Sequence, residues 1–340
     1  MTSPRTLAAL AVGKIVRAVL LALGRGATAL PGLVALTLAP RFSADLTRSL
    51  SHGAACVTGT NGKTTTARML AVIVRDAGWR PVHNRAGANL DRGVAAALLS
   101  DAGLTGHTRS DTGIFEIDEA SVPRVLATVT PRVLVVTNLF RDQLDRYHEI
   151  DALVRLLGDA VARLPPSTQL VLNADDPLVV RLAERHRGTV SFFGVDDSAL
   201  GGTQTQAISD ATRCPRCRSP LAYRRVVLAH VGDWACSSCD FARPQRDLAA
   251  SRVAPTAGGG LQIDLAGGGS LTVPLAGAYN AYNALAALAA ACALGLAARP
   301  GAGAHPPGCR EGPLRGRPRR PRARGAPKWV APRGRASGAG

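Results

Sequence analysis

Residues 59–65 read Gly59-Thr60-Asn61-Gly62-Lys63-Thr64-Thr65, directly after the apolar run Ala54–Thr58 and at the head of a helix-forming stretch. A strand that turns through glycines into a helix is a phosphate cradle. The glycines let backbone N–H groups approach an anion, the helix N-terminus adds positive potential, and a lysine and a hydroxyl follow at the positions that reach the β/γ-phosphates and Mg²⁺. The seven residues Gly59, Thr60, Asn61, Gly62, Lys63, Thr64 and Thr65 are therefore the candidate ATP site. The longer Walker form would place glycine at position 57, where this chain has Val57. Only three of the 41 Lys+Arg are lysines (Lys14, Lys63 and Lys328), so the lysine in the loop stands against a strong bias toward arginine.

Such a loop belongs to a sheet of parallel strands, and the flanking pattern agrees. Short apolar runs at residues 113–117, 133–137, 169–172 and 190–193 alternate with helical segments, the first of them at 62–77. This predicts an α/β fold with a mostly parallel sheet flanked by helices and ligands at the carboxyl ends of the strands. Two further strand-like pieces, 261–265 and 270–274, precede an Ala-rich helix over 280–296. A length of 340 residues with 46% hydrophobic content supports one large domain or two modest ones.

Two C-x-x-C pairs, Cys214/Cys217 and Cys236/Cys239, form the second strong signal. Four thiolates in two knuckles make a closed tetrahedral zinc site, which leaves no open position for a catalytic water. The spacing predicts a zinc ribbon inserted over 212–244. Cys56, Cys292 and Cys309 read as inert, and the absence of a disulfide pattern points to a reducing cytoplasm.

Further blocks lie in order around the loop: residues 84–90 (N-R-A-G-A-N-L), 115–120 (F-E-I-D-E-A), 137–147 (T-N-L-F-R-D-Q-L-D-R-Y), 173–177 (N-A-D-D-P) and 279–287 (Y-N-A-Y-N-A-L-A-A). Together with the G-T-N-G-K-T-T loop and the cysteine insert, they make the chain resemble the Mur ligase family, and within it the ribbon-bearing MurT-type subunits that amidate the glutamate of lipid II. The resemblance implies an ATP-dependent carbon–nitrogen ligase of peptidoglycan biosynthesis. It implies ATP and Mg²⁺ as cofactors beside the zinc, and lipid II at the membrane surface as substrate. A glutaminase subunit of the GatD type would be the partner that releases ammonia. It assigns Thr64 and Glu116 to magnesium, Lys63 and Glu116 to catalysis, Asn280 to the adenine base, and Asn89, more loosely, to the substrate side. Asp118 and Glu119 extend that acidic edge or cap the next helix. Gln143 stands where many Mur ligases have a metal-binding histidine, and no lysine between Lys63 and Lys328 could be carbamylated, which puts a second magnesium in doubt.

Two other readings compete: a ligase of the folylpolyglutamate synthase kind, for which the four-cysteine insert is unexpected, and a zinc-ribbon protein binding nucleic acid. The formal charge of +17 favours the latter only superficially. Residues 299–340 hold 11 of the 41 Lys+Arg and one acid, Glu311. Around the knuckles only Arg213, Arg216, Arg218 and the stretch from Tyr223 to Arg225 qualify as nucleic-acid contacts.

The expected domain plan is an N-terminal helical segment over 1–43, a central ATP-binding domain over 44–298, and a tail over 299–340. Residues 7–39 are apolar but broken by Lys14, Arg17, Arg25 and Pro31, so no transmembrane helix is expected. A helix packed on the following domain is favoured over a basic amphipathic helix lying on the inner face of the membrane. The tail has 8 Pro, 9 Gly and 10 Arg, with few aliphatic side chains, and cannot bury a core. It reads as disordered, or as the product of a reading-frame shift that replaces a C-terminal ligase domain.

Overall fold

The computed structural model describes residues 2–26, 28–84, 90–140, 149–202 and 211–296. The expectations placed on Asn89, on Gln143 and its neighbours, on Cys309 and on the tail over 299–340 lie outside these residues.

The chain opens with three helices, α1 (Pro4–Ala22), α2 (Leu30–Leu38) and α3 (Phe42–Thr47). It then alternates: β1 (Ala54–Thr58), α4 (Lys63–Asp76), β2 (Pro81–His83), α5 (Asp91–Asp101), β3 (Thr112–Glu116), α6 (Val122–Thr128), β4 (Val133–Val136), α7 (Glu149–Ala162), β5 (Gln169–Asn173), α8 (Pro177–Val180) and β6 (Val190–Val195). A hairpin of β7 (Leu221–Leu228) and β8 (Val231–Cys236) follows, then β9 (Leu248–Pro255), β10 (Leu261–Leu265), β11 (Ser270–Val273) and the long α9 (Ala278–Ala293).

Nine strands form one sheet in the order β11-β10-β9-β6-β5-β4-β1-β3-β2. All pairings from β2 across to β9 are parallel, and only the β9-β10-β11 edge is antiparallel. β1 is buried along its whole length because both faces of the sheet are covered. Its alternate side chains part to opposite sides. Ala54 and Cys56 join Phe115, Leu134 and Leu170 beneath α5, α6 and α7, with α1 to α3 closing that layer. Ala55 and Val57 join Ile114, Val133 and Val171 beneath α4 and α9. The small side chains of α9, nearly all buried, let this helix lie close against α4 and the sheet.

From β1 the chain runs outward through β2 and β3 on one side and then crosses to β4 and β5 on the other. The strand order therefore reverses between β1 and β4, and the crevice at that switch is where α/β sheets bind ligands. Register places Glu116 of β3 beside Val57 on one flank of β1, and Val136 of β4 beside Thr58 on the other.

The N-terminal segment is two helices plus a short third, not one, because Gly24 takes φ +67° after α1 and Pro31 restarts the chain in α2. Their inner faces, with Ala9, Leu10, Ala35, Phe42 and Leu46, pack on the domain. No helix among the described residues is long and apolar enough to cross a membrane. Strand β9 escaped the sequence reading, since Leu248 to Ala250 are buried in succession, Ser251 and Arg252 are exposed in succession and Val253 is buried again, without a clean alternation.

Candidate nucleotide site and cysteine centre

The loop from Gly59 to Gly62 leaves β1 at the switch point. Gly59 has φ +128° and Gly62 φ +84°. A Cβ on Gly59 would collide with Thr137 Oγ1 and the Asn138 backbone, and one on Gly62 with the Asn283 side-chain amide. Both glycines are thus required by backbone conformation and by close approach.

The segment after β4 straps this loop in place. Asn138 O accepts from Thr60 N at 2.9 Å, and Asn138 Oδ1 accepts from Asn61 N at 2.8 Å. Thr137 Oγ1 donates to Asn61 O at 2.8 Å, while Phe140 N donates to Thr60 Oγ1 at 2.9 Å. The strap is held from behind: Asn173 Nδ2 donates to Thr137 O and Asp176 Oδ2 accepts from Leu139 N, at 2.9 and 2.8 Å. Asp176 also caps α8. The N-A-D-D-P block therefore buttresses the loop through two of its side chains.

Lys63 folds back across the loop. Its Nζ donates to Gly59 O at 2.6 Å and Thr60 O at 3.1 Å, and pairs with Glu119 at 3.0 Å, both side chains being largely buried. Thr64 Oγ1 donates to Glu116 Oε2 at 2.8 Å. Glu116 is buried at the strand end, with its backbone clamped by Asn84: Asn84 Oδ1 accepts from Glu116 N and Asn84 Nδ2 donates to Glu116 O. A hydroxyl and a carboxylate oxygen in contact are the hard donor set that magnesium takes beside phosphates. Asp118 caps the following turn through Ala120 N at 3.1 Å, so of the two flanking acids it is Glu119 that joins the site.

Asn280 is buried in the first turn of α9, whose N-cap is Gly277. Its Nδ2 donates to Ala276 O at 2.7 Å and its Oδ1 accepts from Asn283 Nδ2 at 3.0 Å. Asn283 reaches on to Thr66 Oγ1 at 3.3 Å and overlies Gly62. The two asparagines bring the start of α9 to the loop.

The four cysteines Cys214, Cys217, Cys236 and Cys239 converge, their sulfurs all within 4.8 Å of one another. Cys214 and Cys239 Sγ are 3.7 Å apart, Cys217 and Cys236 Sγ 3.4 Å. Zn–S bonds of about 2.3 Å in a tetrahedron set sulfurs about 3.8 Å apart, so the residues fit zinc. The knuckles sit on Trp234 and Phe241, both buried. Arg216 pairs with Glu184 and Arg218 with Asp151, Arg224 with Asp233, and Tyr223 donates to Ala211 O. The basic and aromatic groups that a nucleic-acid reading needed are thus engaged within the protein. Cys56 is fully buried, which pushes its thiol up to about 12 and leaves it inert.

The Mur ligase middle domain model matches residues 57–217, the span that holds the loop, Glu116 and the first knuckle. The chain carries a Mur ligase middle domain. It is 33% identical over 293 residues to "Lipid II isoglutaminyl synthase (glutamine-hydrolyzing) subunit MurT" of Streptococcus pneumoniae, covering 86% of this chain and 63% of that protein. With the MurT subunit of Staphylococcus aureus (strain COL) it shares 32% over 293 residues, 85% of this chain and 63% of that one. The chain thus spans less than two thirds of the length of these relatives. Among solved structures, a pseudomurein peptide ligase type C from Methanothermus fervidus superposes with a TM-score of 0.55 at 26% identity, over 72% of this chain and 46% of that one.

The sequence reading missed a second buried centre, which joins the matched span to residues beyond it. Asp175 accepts from Tyr282 OH at 2.7 Å, from Val195 N at 3.0 Å and from Arg243 Nε at 2.8 Å. Burial pushes its carboxyl up, opposed by Arg243 and these donors. It ties β5, β6, the chain leaving the ribbon and α9 together. The hairpin tip adds His230, buried with Nε2 3.4 Å from Asp176 Oδ1 and its ring against Phe140. The signal was present in the doubled aspartate of N-A-D-D-P, but its partners lie 20 to 107 residues away.

Proposed function

We propose that this chain is the ATP-dependent ligase subunit of a lipid II isoglutaminyl synthase, activating the α-carboxylate of D-glutamate in lipid II for amidation. The contact of Thr64 with Glu116 at the mouth of the Gly59–Lys63 loop carries the reading, for it sets a hard-metal donor pair beside a phosphate cradle. The names of the MurT relatives and the inserted four-cysteine centre support the choice of reaction within the ligases.

In this reading the ATP-binding unit spans 44–298, and the backbone N–H groups of the loop hold the phosphates. Thr64 and Glu116 hold magnesium, which when bound neutralises phosphate charge. Lys63 leaves Glu119 for the γ-phosphoryl group and offsets the charge that develops as that group passes to the substrate carboxylate. Asn280 and Asn283 shape the adenine side. The acyl phosphate is then attacked by ammonia, phosphate departs, and an amide remains. The ammonia comes from a glutaminase partner of the GatD type. Asn89 is assigned to the substrate side and the cysteines to a structural zinc.

The test is incubation of the chain and a glutaminase subunit with lipid II, ATP, Mg²⁺ and glutamine. Mg²⁺-dependent ATP binding is expected of the chain as it stands, and amidated lipid II with one ADP per amide once a C-terminal ligase domain is supplied in place of residues 299–340. A glutamylated product, or no nucleotide binding by the purified chain, would overturn the reading.

A further inference from the structure

Eleven large apolar side chains are exposed among the described residues, and eight of them lie between Val12 and Leu38. From residue 8 onward the exposed positions of α1 are 8, 11, 12, 15, 18, 19, 21 and 22, followed by the C-cap Leu23, and every one is Ala, Val, Ile or Leu. Ile15 is 64% exposed, Val19 51% and Leu23 66%. The opposite face of the helix, with Thr6, Ala9, Leu10 and Gly13, is buried. α1 therefore has apolar residues on both sides, and on the neighbouring α2 Leu30 and Leu33 are exposed as well. Exposed apolar side chains concentrated on one helix pair mark a contact with something outside the chain.

Charge says what that contact is. Residues 1–44 contain Arg5, Lys14, Arg17, Arg25 and Arg41 and no acid at all. The first acid, Asp45, is turned inward, accepting from Thr6 Oγ1 at 2.6 Å and Arg48 at 2.9 Å. Lys14 and Arg17 flank the stripe and Arg25 follows its end. Asp101 of α5 is the acid near Lys14, and its carboxylate is already taken by Arg109 N, Ser110 N and Ser110 Oγ. Two copies of this chain meeting through the stripe would bring these cations together with little to offset them, which is unfavourable. A bilayer with anionic headgroups offers acyl chains to the stripe and negative charge to its rim. We infer that the outer face of the α1–α2 pair docks on the surface of an anionic phospholipid bilayer, its apolar stripe entering the headgroup boundary. The helices lie on the membrane and do not cross it. This rests on the surface alone and is independent of the reaction proposed above.

The experiment uses the full chain and vesicles without any peptidoglycan precursor, so failure of the ligase reading cannot affect it. Protein is sedimented with phosphatidylglycerol–phosphatidylcholine vesicles (equal parts) and with phosphatidylcholine alone, at 0.3 M salt to weaken binding by exposed charge elsewhere, including the arginine-rich end. Wild type partitions to the anionic vesicles. Ile15→Glu with Val19→Glu, at exposed positions that leave the thermal midpoint unchanged, lowers partitioning at least tenfold. Arg17→Gln lowers it about fivefold. As a measurement that disrupts nothing, Ile15→Trp shows quenching by brominated lipid beyond that of wild type. The idea is overturned if wild type does not bind, if the double variant binds as wild type does, if Ile15→Trp adds no quenching, or if the stripe variants abolish a wild-type dimer seen by light scattering.

Discussion

Lys63 and Glu116 are set by their neighbours as much as by their own chemistry. Lys63 is held by two loop carbonyls and Glu119, so it is poised within the loop before any phosphate arrives. Lys63→Ala is expected to lower ATP turnover by about a hundredfold or more, in line with loss of one preorganised charge-stabilising group, while the circular dichroism spectrum stays the same. Turnover within tenfold of wild type would remove the loop from the mechanism. Glu116→Ala should weaken Mg²⁺-dependent nucleotide binding far more than Asp118→Ala, whose loss removes a cap to Ala120 N and costs about 1 kcal/mol of stability. Titration calorimetry with and without Mg²⁺ compares the two; equal small effects would reduce Glu116 to a strand-end acid. The loop was legible at this scale because glycine, lysine and hydroxyl stand in one contiguous run. The pairing of Lys63 with Glu119, across 56 residues, was not.

At the level of elements, the ribbon interrupts the crossover between the neighbouring parallel strands β6 and β9. Its knuckles face Trp234 and Phe241, and its hairpin tip brings His230 against Phe140, whose backbone N–H belongs to the loop strap. The purified chain should carry about one zinc. Cys214→Ser or Cys239→Ser should lower both the zinc content and the thermal midpoint, because metal binding and folding are one equilibrium in such a site. ATP affinity should fall far less than in Lys63→Ala, since among the described residues none of these four cysteines is bonded to the loop. Metal analysis together with calorimetric melting decides it: a metal-free wild type of full stability would contradict the assignment. The paired C-x-x-C spacing made the ribbon readable in advance. The docking of its tip on the nucleotide side was hidden, because nothing local links His230 to Asp176.

Across the whole molecule, one buried carboxylate joins parts that are far apart in the chain. Asp175, two residues beyond β5, takes hydrogen bonds from Tyr282 of α9, Val195 of β6 and Arg243 beyond the hairpin. Tyr282→Phe removes one donor to a buried charged acceptor and is expected to cost about 1.5 to 3 kcal/mol, read from the midpoint of urea unfolding. A loss below about 0.5 kcal/mol would show that Asp175 is satisfied without it. By itself the sequence determined the class of fold, the place of the phosphate loop, most of the strands and the four-cysteine centre. Each of these is written in local features: the period of apolar residues, a glycine-rich turn, a repeated spacing of thiols. Only the tertiary structure decided that β1 lies at the reversal of strand order, that the strap after β4 holds the loop, that Asn280 faces Asn283, and that α1 leaves an apolar stripe uncovered. Those outcomes depend on which distant segments pack together, and packing is settled by the shape and burial of the whole sheet, which no single stretch of sequence contains.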